Sequence, residues 1–200
     1  MNVLVACECS GIVREAFKKR GHNAWSCDIK PSEQPGQHIQ DDVRNHLDGS
    51  IYVLFWDLII AHPDCTYLCS SGLHWNHRTP GRQEKTESAI EFAKMFEPWA
   101  EKVCTENPIG CLSSQWRKPE QIIQPYQFGH DASKATCLWL KNLPVLIHTN
   151  YVEPRIVNGK KRWANQTDSG QNRLGPSPER AAERARTYQG VADAMAEQWG

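Results

Sequence analysis

Residues 57–72 read DLIIAHPDCTYLCSSG, and this stretch decides the fold. Asp57 opens a buried strand carried by the apolar run Leu58-Ile59-Ile60-Ala61. The run breaks at His62-Pro63-Asp64, where Pro63 fixes the approach to a turn. Cys65 then enters a loop of small and polar residues, 66–72. In an open parallel sheet, ligands and chemistry lie just beyond the carboxyl ends of the strands. Cys65 therefore stands where a nucleophile is needed. A lone cysteine more often behaves as a small buried hydrophobe. Here the neighbours are not core residues, and Ser70, Ser71 and Gly72 make a loop able to approach a ligand closely.

Upstream, the pattern of strand followed by functional turn recurs. Residues 3–6 form a short apolar strand that runs through Cys7-Glu8-Cys9-Ser10-Gly11 into a helix over 12–20. In that helix Val13, Ala16 and Phe17 recur at helical spacing, and Gly21 is the stop. A strand, a small-residue turn and a helix cradle a nucleotide-like ligand at the helix N-terminus. One glycine is too few for the dinucleotide fingerprint. Residues 22–27 read as a second strand ending at Asp28, where an acid either accepts hydrogen bonds from ribose hydroxyls or closes a turn. Residues 39–43 read as a third strand closing on Asp41 and Asp42, placed to contact an adenine amine. Gly11, Asp28 and Asp41/Asp42 at successive strand ends point to an adenosyl ligand.

Downstream of Cys65, residues 73–83 (LHWNHRTPGRQ) read as a loop able to fold over a substrate. Residues 84–99 read as a helix, and 102–105 as a fifth strand ending at Glu106-Asn107-Pro108. Segments 124–129 and 135–145 read as two further strands or strand edges. Residues 151–173 read as a polar, basic insert, by default a solvated loop. Residues 177–198 read as helical, with Pro178 near the start and a break near Gln189-Gly190. Cys65 and Glu106 at adjacent strand ends are the pair a pyrimidine needs for alkylation at C5. Thiolate attack at C6 makes C5 nucleophilic, and a carboxyl group at N3 absorbs the charge that develops.

The composition narrows the class. A chain of 200 residues is enough for one domain with a real core. Its 23 basic and 23 acidic residues cancel, which argues against binding driven by a diffuse basic field but not against a local basic patch. Met1 runs straight into a strand with no secretory signal, and no apolar run approaches the roughly 20 residues of a membrane span. The expected compartment is the cytoplasm, with the eight cysteines reduced. Cys7-x-Cys9 is too tight for a zinc knuckle, and His62, Cys65, Cys69, His74 and His77 are irregularly spaced, so no metal is assigned. Trp75, Trp116 and Trp163 lie in polar, basic surroundings, where a flat ring can stack on a base.

These residues together resemble the cytosine-5 DNA methyltransferases, most of all small phage and prophage members. Ala6-Cys7-Glu8-Cys9-Ser10-Gly11 sits where that family has its Gly-rich cofactor turn. Asp28 and Asp41/Asp42 match the acids after the second and third strands. Pro63-Asp64-Cys65 matches the Pro-Pro-Cys nucleophile loop, Glu106-Asn107 the Glu-Asn-Val motif, and Gln189-Gly190-Val191-Ala192 the closing motif. The chain departs from the pattern in its few first-turn glycines, in Asp64 for the second proline, in Thr66 for a glutamine, and in lacking the Gln-x-Arg-x-Arg motif, for which Lys134 and Thr136 stand in.

The resemblance implies a Rossmann-like α/β fold of the S-adenosylmethionine-dependent methyltransferase class, with a mostly parallel central sheet and helices on both faces. Residues 1–200 form a single catalytic domain, with 147–176 as a short insert in place of a full target-recognition domain. The implied reaction transfers a methyl group from S-adenosylmethionine to C5 of cytosine in DNA through a covalent Cys65 adduct. The implied catalytic residues are Cys65, Glu106 and Asn107. Cofactor contacts fall to Cys7, Glu8, Ser10, Gly11, Asp28, Asp41, Asp42 and Pro63, and substrate contacts to Ser70, Ser71, Lys134, Thr136 and Trp163. An insert of about thirty residues is shorter than the roughly 40 at which a segment folds alone. It is expected to offer phosphate contacts from Lys160, Lys161 and Arg162, with Trp163 as a stacking ring or wedge. A short or degenerate target, or unpaired DNA, follows. Two other classes remain open: an enzyme that alkylates a pyrimidine nucleotide, and a non-catalytic, zinc-bearing nucleic-acid-binding protein.

Overall fold

The computed structural model describes residues 1–53, 55–175, 177 and 180–200. Seven strands make one sheet: β1 (Asn2–Ala6), β2 (Asn23–Asp28), β3 (His38–Gln40), β4 (Leu58–Ala61), β5 (Lys102–Pro108), β6 (Gln121–Ile123) and β7 (Thr136–Lys141). Their order is β3-β2-β1-β4-β5-β7-β6. The pairs β1–β2, β1–β4, β2–β3 and β4–β5 are parallel, and β7 runs antiparallel to both β5 and β6.

Strand side chains alternate between the two sheet faces, and here both faces are covered, so the central strands read as unbroken apolar runs. Val3, Val5, Leu58 and Ile60 pack against helices α1 (Ile12–Lys19) and α6 (Gln189–Trp199) through Val13, Phe17, Val191, Met195 and Trp199. On the opposite face Leu4, Ala6, Ile59 and Val103 meet Ile39, Trp56 and Phe96. Helix α3 (Arg82–Lys94) adds Ile90 and Ala93 to a neighbouring cluster with Leu68, Leu112 and Trp139. This is the expected fold class, a Rossmann-like α/β sheet, mostly parallel and covered on both faces. The strand order turns back between β1 and β4, where the following loops diverge and open a crevice at the carboxyl ends.

Several elements differ from the sequence expectation for identifiable reasons. The strand expected over 124–129 lies earlier, as β6. Pro125 has no N–H for a ladder, and the Gln127 side chain accepts the Gln124 N–H at 2.7 Å, which closes a 3₁₀ turn over Pro125–Gln127. The third strand ends at Gln40, because Asp42 caps a short turn by accepting the Arg44 N–H at 3.0 Å. The loop over 66–72 gives way at its end to a short helix, α2 (Ser70–Leu73). The segment 73–83 continues through turns into α3, which starts at Arg82 and ends at Lys94, with a separate 3₁₀ turn over Glu97–Trp99. A further short helix is α4 (Leu112–Gln115).

The insert is not simply a solvated loop. It contains a hairpin of β8 (Arg155–Val157) and β9 (Lys160–Arg162), turned by Asn158 and Gly159, both at positive φ as a tight hairpin requires. The closing region is two helices, α5 (Arg180–Ala185) and α6. The break falls at 186–188, and Gln189-Gly190 opens α6 rather than interrupting a helix. Gly190 is required there: its N–H donates to His130 Nε2 at 2.8 Å, and a Cβ would collide with the Phe128 carbonyl. Leu54 in the lead-in to the fourth strand, Pro176 at the end of the insert and Pro178 lie outside the described residues. Among the described residues no helix is long and apolar enough to cross a membrane.

Candidate active site

The β4 ladder extends one residue past Ala61, since the His62 N–H donates to Ala6 O at 2.9 Å. Ala61 pairs with Thr105, so His62 falls beside Glu106 on β5. The two side chains meet, with His62 Nδ1 3.1 Å from Glu106 Oε2. Asn107, the next residue on β5, is buried, and its Nδ2 donates to Pro63 O at 2.7 Å. That bond pins the turn before Cys65 to the neighbouring strand. Asp64 accepts the Thr66 N–H at 2.9 Å, and the Cys69 N–H donates to Cys65 O at 3.0 Å, so Cys65 begins a helical turn. The loop after β5 presses on this turn from the other side, with Ser70 N–H to Ile109 O at 3.1 Å and Cys111 N–H to Leu68 O at 2.9 Å. The approach leaves no room for a side chain at Gly110, whose Cβ would overlap the Leu68 carbonyl.

The electrostatics separate the two reactive groups. Burial pushes the Cys65 thiol up to about 11, helped by Cys69, Asp64 and Glu106 and opposed by Lys134. The cysteine is thus a thiol at rest. Burial also works to raise the Glu106 carboxyl, but the hydrogen bond from His62, the His62 charge and Lys134 outweigh it and hold the group below its ordinary value. Glu106 is a carboxylate at neutral pH. A small cavity beside it is lined by Lys134, Thr136, Tyr188 and Val191. The structure therefore brings together Cys65, Glu106, Asn107, Pro63, Lys134 and Thr136.

The first turn is organised by Glu8. Its buried carboxylate accepts the Val13 N–H at 2.8 Å, the Arg14 N–H at 3.2 Å and the Ser10 hydroxyl at 3.1 Å. Glu8 and Ser10 thus cap α1 from within, so the Glu8 carboxylate expected to contact a cofactor is engaged with its own turn. Cys7 and Gly11 both take left-handed backbone, at φ 59 and φ 72, which folds the turn tightly. Arg14 is fully buried and donates to Ser26, Ser32 and the carbonyls of Gln34 and Pro35, tying the loop after β2 to α1. Asp28 sits at the mouth of this crevice. Its Oδ1 accepts the Lys30 N–H at 2.9 Å, and Oδ2 has no partner among the described residues. Asp41 is engaged with His46 at 2.8 Å and Asp42 with Arg44, so both carboxylates hold their own turn.

The substrate-side expectations divide. Ser70 and Ser71 are exposed on α2. Trp163 is only 7 % exposed, its ring is stacked on Tyr126 at 4.1 Å, and its Nε1 is 3.4 Å from Val152 O. It anchors the insert to the domain and does not offer a face to a base, which corrects the stacking role. Trp116 stacks on Trp139, while Trp75 is exposed with Arg78 over its ring. Arg162 turns back to the carbonyls of Asp168 and Lys161, which leaves Lys160 and Lys161 as the exposed cations of the hairpin. Among the described residues no group of three or more His, Cys, Asp or Glu is placed to hold a metal ion.

Sequence reasoning missed two residues. His62 figured only as a possible zinc ligand, and Arg14 only as a helix position. The signal for His62 was available: it follows its apolar run as directly as Glu106 follows Val103-Cys104-Thr105.

No family model matches the chain, and no curated protein matches it. Among solved structures it is similar to an E. coli prophage-encoded protein described as a DNA modification methyltransferase, at 13% identity and TM-score 0.44, over 70% of this chain and 46% of that one. It is similar to a Spodoptera frugiperda DNMT2 mutant at 14% identity and TM-score 0.46, over 80% and 57%. It is also similar to the Entamoeba histolytica methyltransferase EhMeth at 15% identity and TM-score 0.46, over 76% and 58%. The chain spans about half the length of these structures.

Proposed function

We propose that the chain is an S-adenosylmethionine-dependent DNA cytosine-5 methyltransferase acting through a covalent bond from Cys65 to C6 of the base. The observation that carries this reading is the arrangement of Cys65 just beyond β4 and Glu106 near the carboxyl end of the adjacent parallel β5, with Asn107 locking the nucleophile turn to β5. The crevice beside it suits an adenosyl ligand without phosphates. The helix N-terminus that would take a pyrophosphate is already filled by the Glu8 carboxylate, and Asp28 Oδ2 is available for ribose hydroxyls. Gly11 and Cys7 would line the same ligand. S-adenosylmethionine supplies an electrophilic methyl group when bound there.

The chain's own residues handle the base. Cys65 must lose its proton as the base is seated, since its thiol is held high. Its sulfur then bonds to C6, and the displaced π electrons move toward C5 and N3. Glu106 lies at the Watson–Crick edge, where its carboxylate accepts from the exocyclic amine and from N3–H once N3 has taken up the proton that Cys65 gave up; that proton returns to the sulfur when the adduct breaks. Lys134 offsets the negative charge of the Cys65–Glu106 pair. Once C5 carries the methyl group, loss of the C5 proton returns the electrons and expels the Cys65 thiolate. The net change at the base is one hydrogen replaced by methyl, with one proton released.

Two measurements test this. Calorimetric titration with S-adenosylmethionine is expected to give saturable binding. DNA containing 5-fluorocytosine is expected to trap the protein covalently, because fluorine cannot leave as a proton does, and Cys65→Ser is expected to abolish the trapped band. Absence of cofactor binding, or trapping that survives Cys65→Ser, overturns the proposal.

A further inference from the structure

His62 takes no part in the chemistry above, yet it is closely held. Its backbone extends the β1–β4 ladder, and its side chain is 10 % exposed, facing Glu106 at 16 %. A carboxylate only accepts hydrogen bonds, so the bond at 3.1 Å places a hydrogen on Nδ1. The other nitrogen, Nε2, is buried with no partner among the described residues. Leaving a buried polar atom unpaired is unfavourable, and an apolar side chain would fill the same space without that penalty. The single bond to Glu106 is what a histidine adds here.

We propose that His62 is the positioning residue for Glu106: its Nδ1–H holds Oε2, which leaves Oε1 to face the Watson–Crick edge of the base. This inference rests on the methyltransferase reading of the site. The groups that face the pair are Lys134 ahead of β7, Thr136 and Cys137 on β7, Tyr188 ahead of α6, Cys65 from the nucleophile turn, and Cys104 on β5. Lys134 acts in the same direction as His62, favouring the carboxylate, and burial acts against both. With the imidazole removed, burial is opposed mainly by Lys134, and the Glu106 carboxyl titrates at higher pH.

The test uses His62→Ala, His62→Asn and His62→Gln in protein labelled with ¹³C at the glutamate carboxyl, the Glu106 resonance being assigned by its loss in Glu106→Gln. The Asn amide nitrogen falls near the Nδ1 position, and the Gln amide nitrogen near Nε2. The expected result is that Glu106 titrates at higher pH in His62→Ala and returns toward the wild-type curve in His62→Asn but not in His62→Gln. The acid limb of kcat moves with it, and kcat in His62→Ala falls on the order of tenfold to a hundredfold while S-adenosylmethionine affinity is unchanged. Should His62→Ala fail to fold, the contrast between Asn and Gln decides alone. An unmoved Glu106 titration in His62→Ala, or equal behaviour of Asn and Gln, overturns the proposal. Failure of the methyltransferase reading is distinct, since wild-type protein would then neither bind the cofactor nor be trapped by DNA, whatever the carboxyl resonance does.

Discussion

At the scale of single residues, the state of Cys65 is the first consequence. A thiol pushed up to about 11 by burial and neighbouring acids is nearly all protonated at neutral pH. Alkylation of Cys65 by iodoacetamide in free protein is therefore expected to rise about tenfold per pH unit between pH 7 and 10, read by mass spectrometry of its peptide. A flat profile would mean that the thiolate already exists at rest. Asp28→Ala is expected to weaken S-adenosylmethionine binding by roughly 1.5–3 kcal/mol per lost charge-assisted hydrogen bond, checked by calorimetry, with little change in melting temperature. The placement of Cys65, Glu106 and Asn107 at neighbouring strand ends was legible in the sequence because each follows an apolar run within a few residues. Glu8 and Ser10 were legible as part of the turn but not in their role, since only the folded turn shows the Glu8 carboxylate reaching back to Val13 and Arg14. Trp163 was misread for a similar reason: the basic residues around it in sequence are not around its ring in space, where Tyr126 lies.

At the scale of elements, the nucleophile turn depends on how closely the loop after β5 approaches it. Gly110→Ala introduces a Cβ against the Leu68 carbonyl, which is backbone and cannot rotate away. The substitution is expected to cost about 1–3 kcal/mol of stability through the forced shift and to slow trapping by 5-fluorocytosine DNA more than it weakens cofactor binding. Calorimetry and the trapping time course separate the two effects, and equal losses would show that the loop supports the whole crevice. The elements legible in the sequence were β1, β4 and β5, which carry short unbroken apolar runs, and α1, whose apolar residues repeat at three to four positions with a clear stop. The misplaced elements were those decided by contacts distant in sequence. The strand over 124–129 yielded to a proline and a capping glutamine, and the break before α6 is set by Gly190 seated on Phe128.

At the scale of the whole molecule, a chain with no net charge presents Lys160 and Lys161 on a hairpin projecting from its insert. Replacing both with alanine is expected to reduce the slope of log affinity for DNA against log salt by about 0.9 per lost phosphate contact and to leave cofactor binding unchanged. On the proposed function, so small an insert suits a short or degenerate target. Base-resolution mapping of 5-methylcytosine on duplex DNA is the check, and a strict target of five or six base pairs would show that the hairpin reads more than its size implies. The packing of α1 on α6 has a further effect, on how the molecule comes to exist. The turn that opens α1 lies near residue 10, and the helix that covers α1 begins near residue 189, so a closure spanning about 180 residues must form before the proposed cofactor crevice is complete. Closures of such long range form slowly. S-adenosylmethionine binding is expected to return only in the slowest refolding phase, after Trp fluorescence has recovered most of its amplitude. A nascent chain would then hold no cofactor until α6 had left the ribosome.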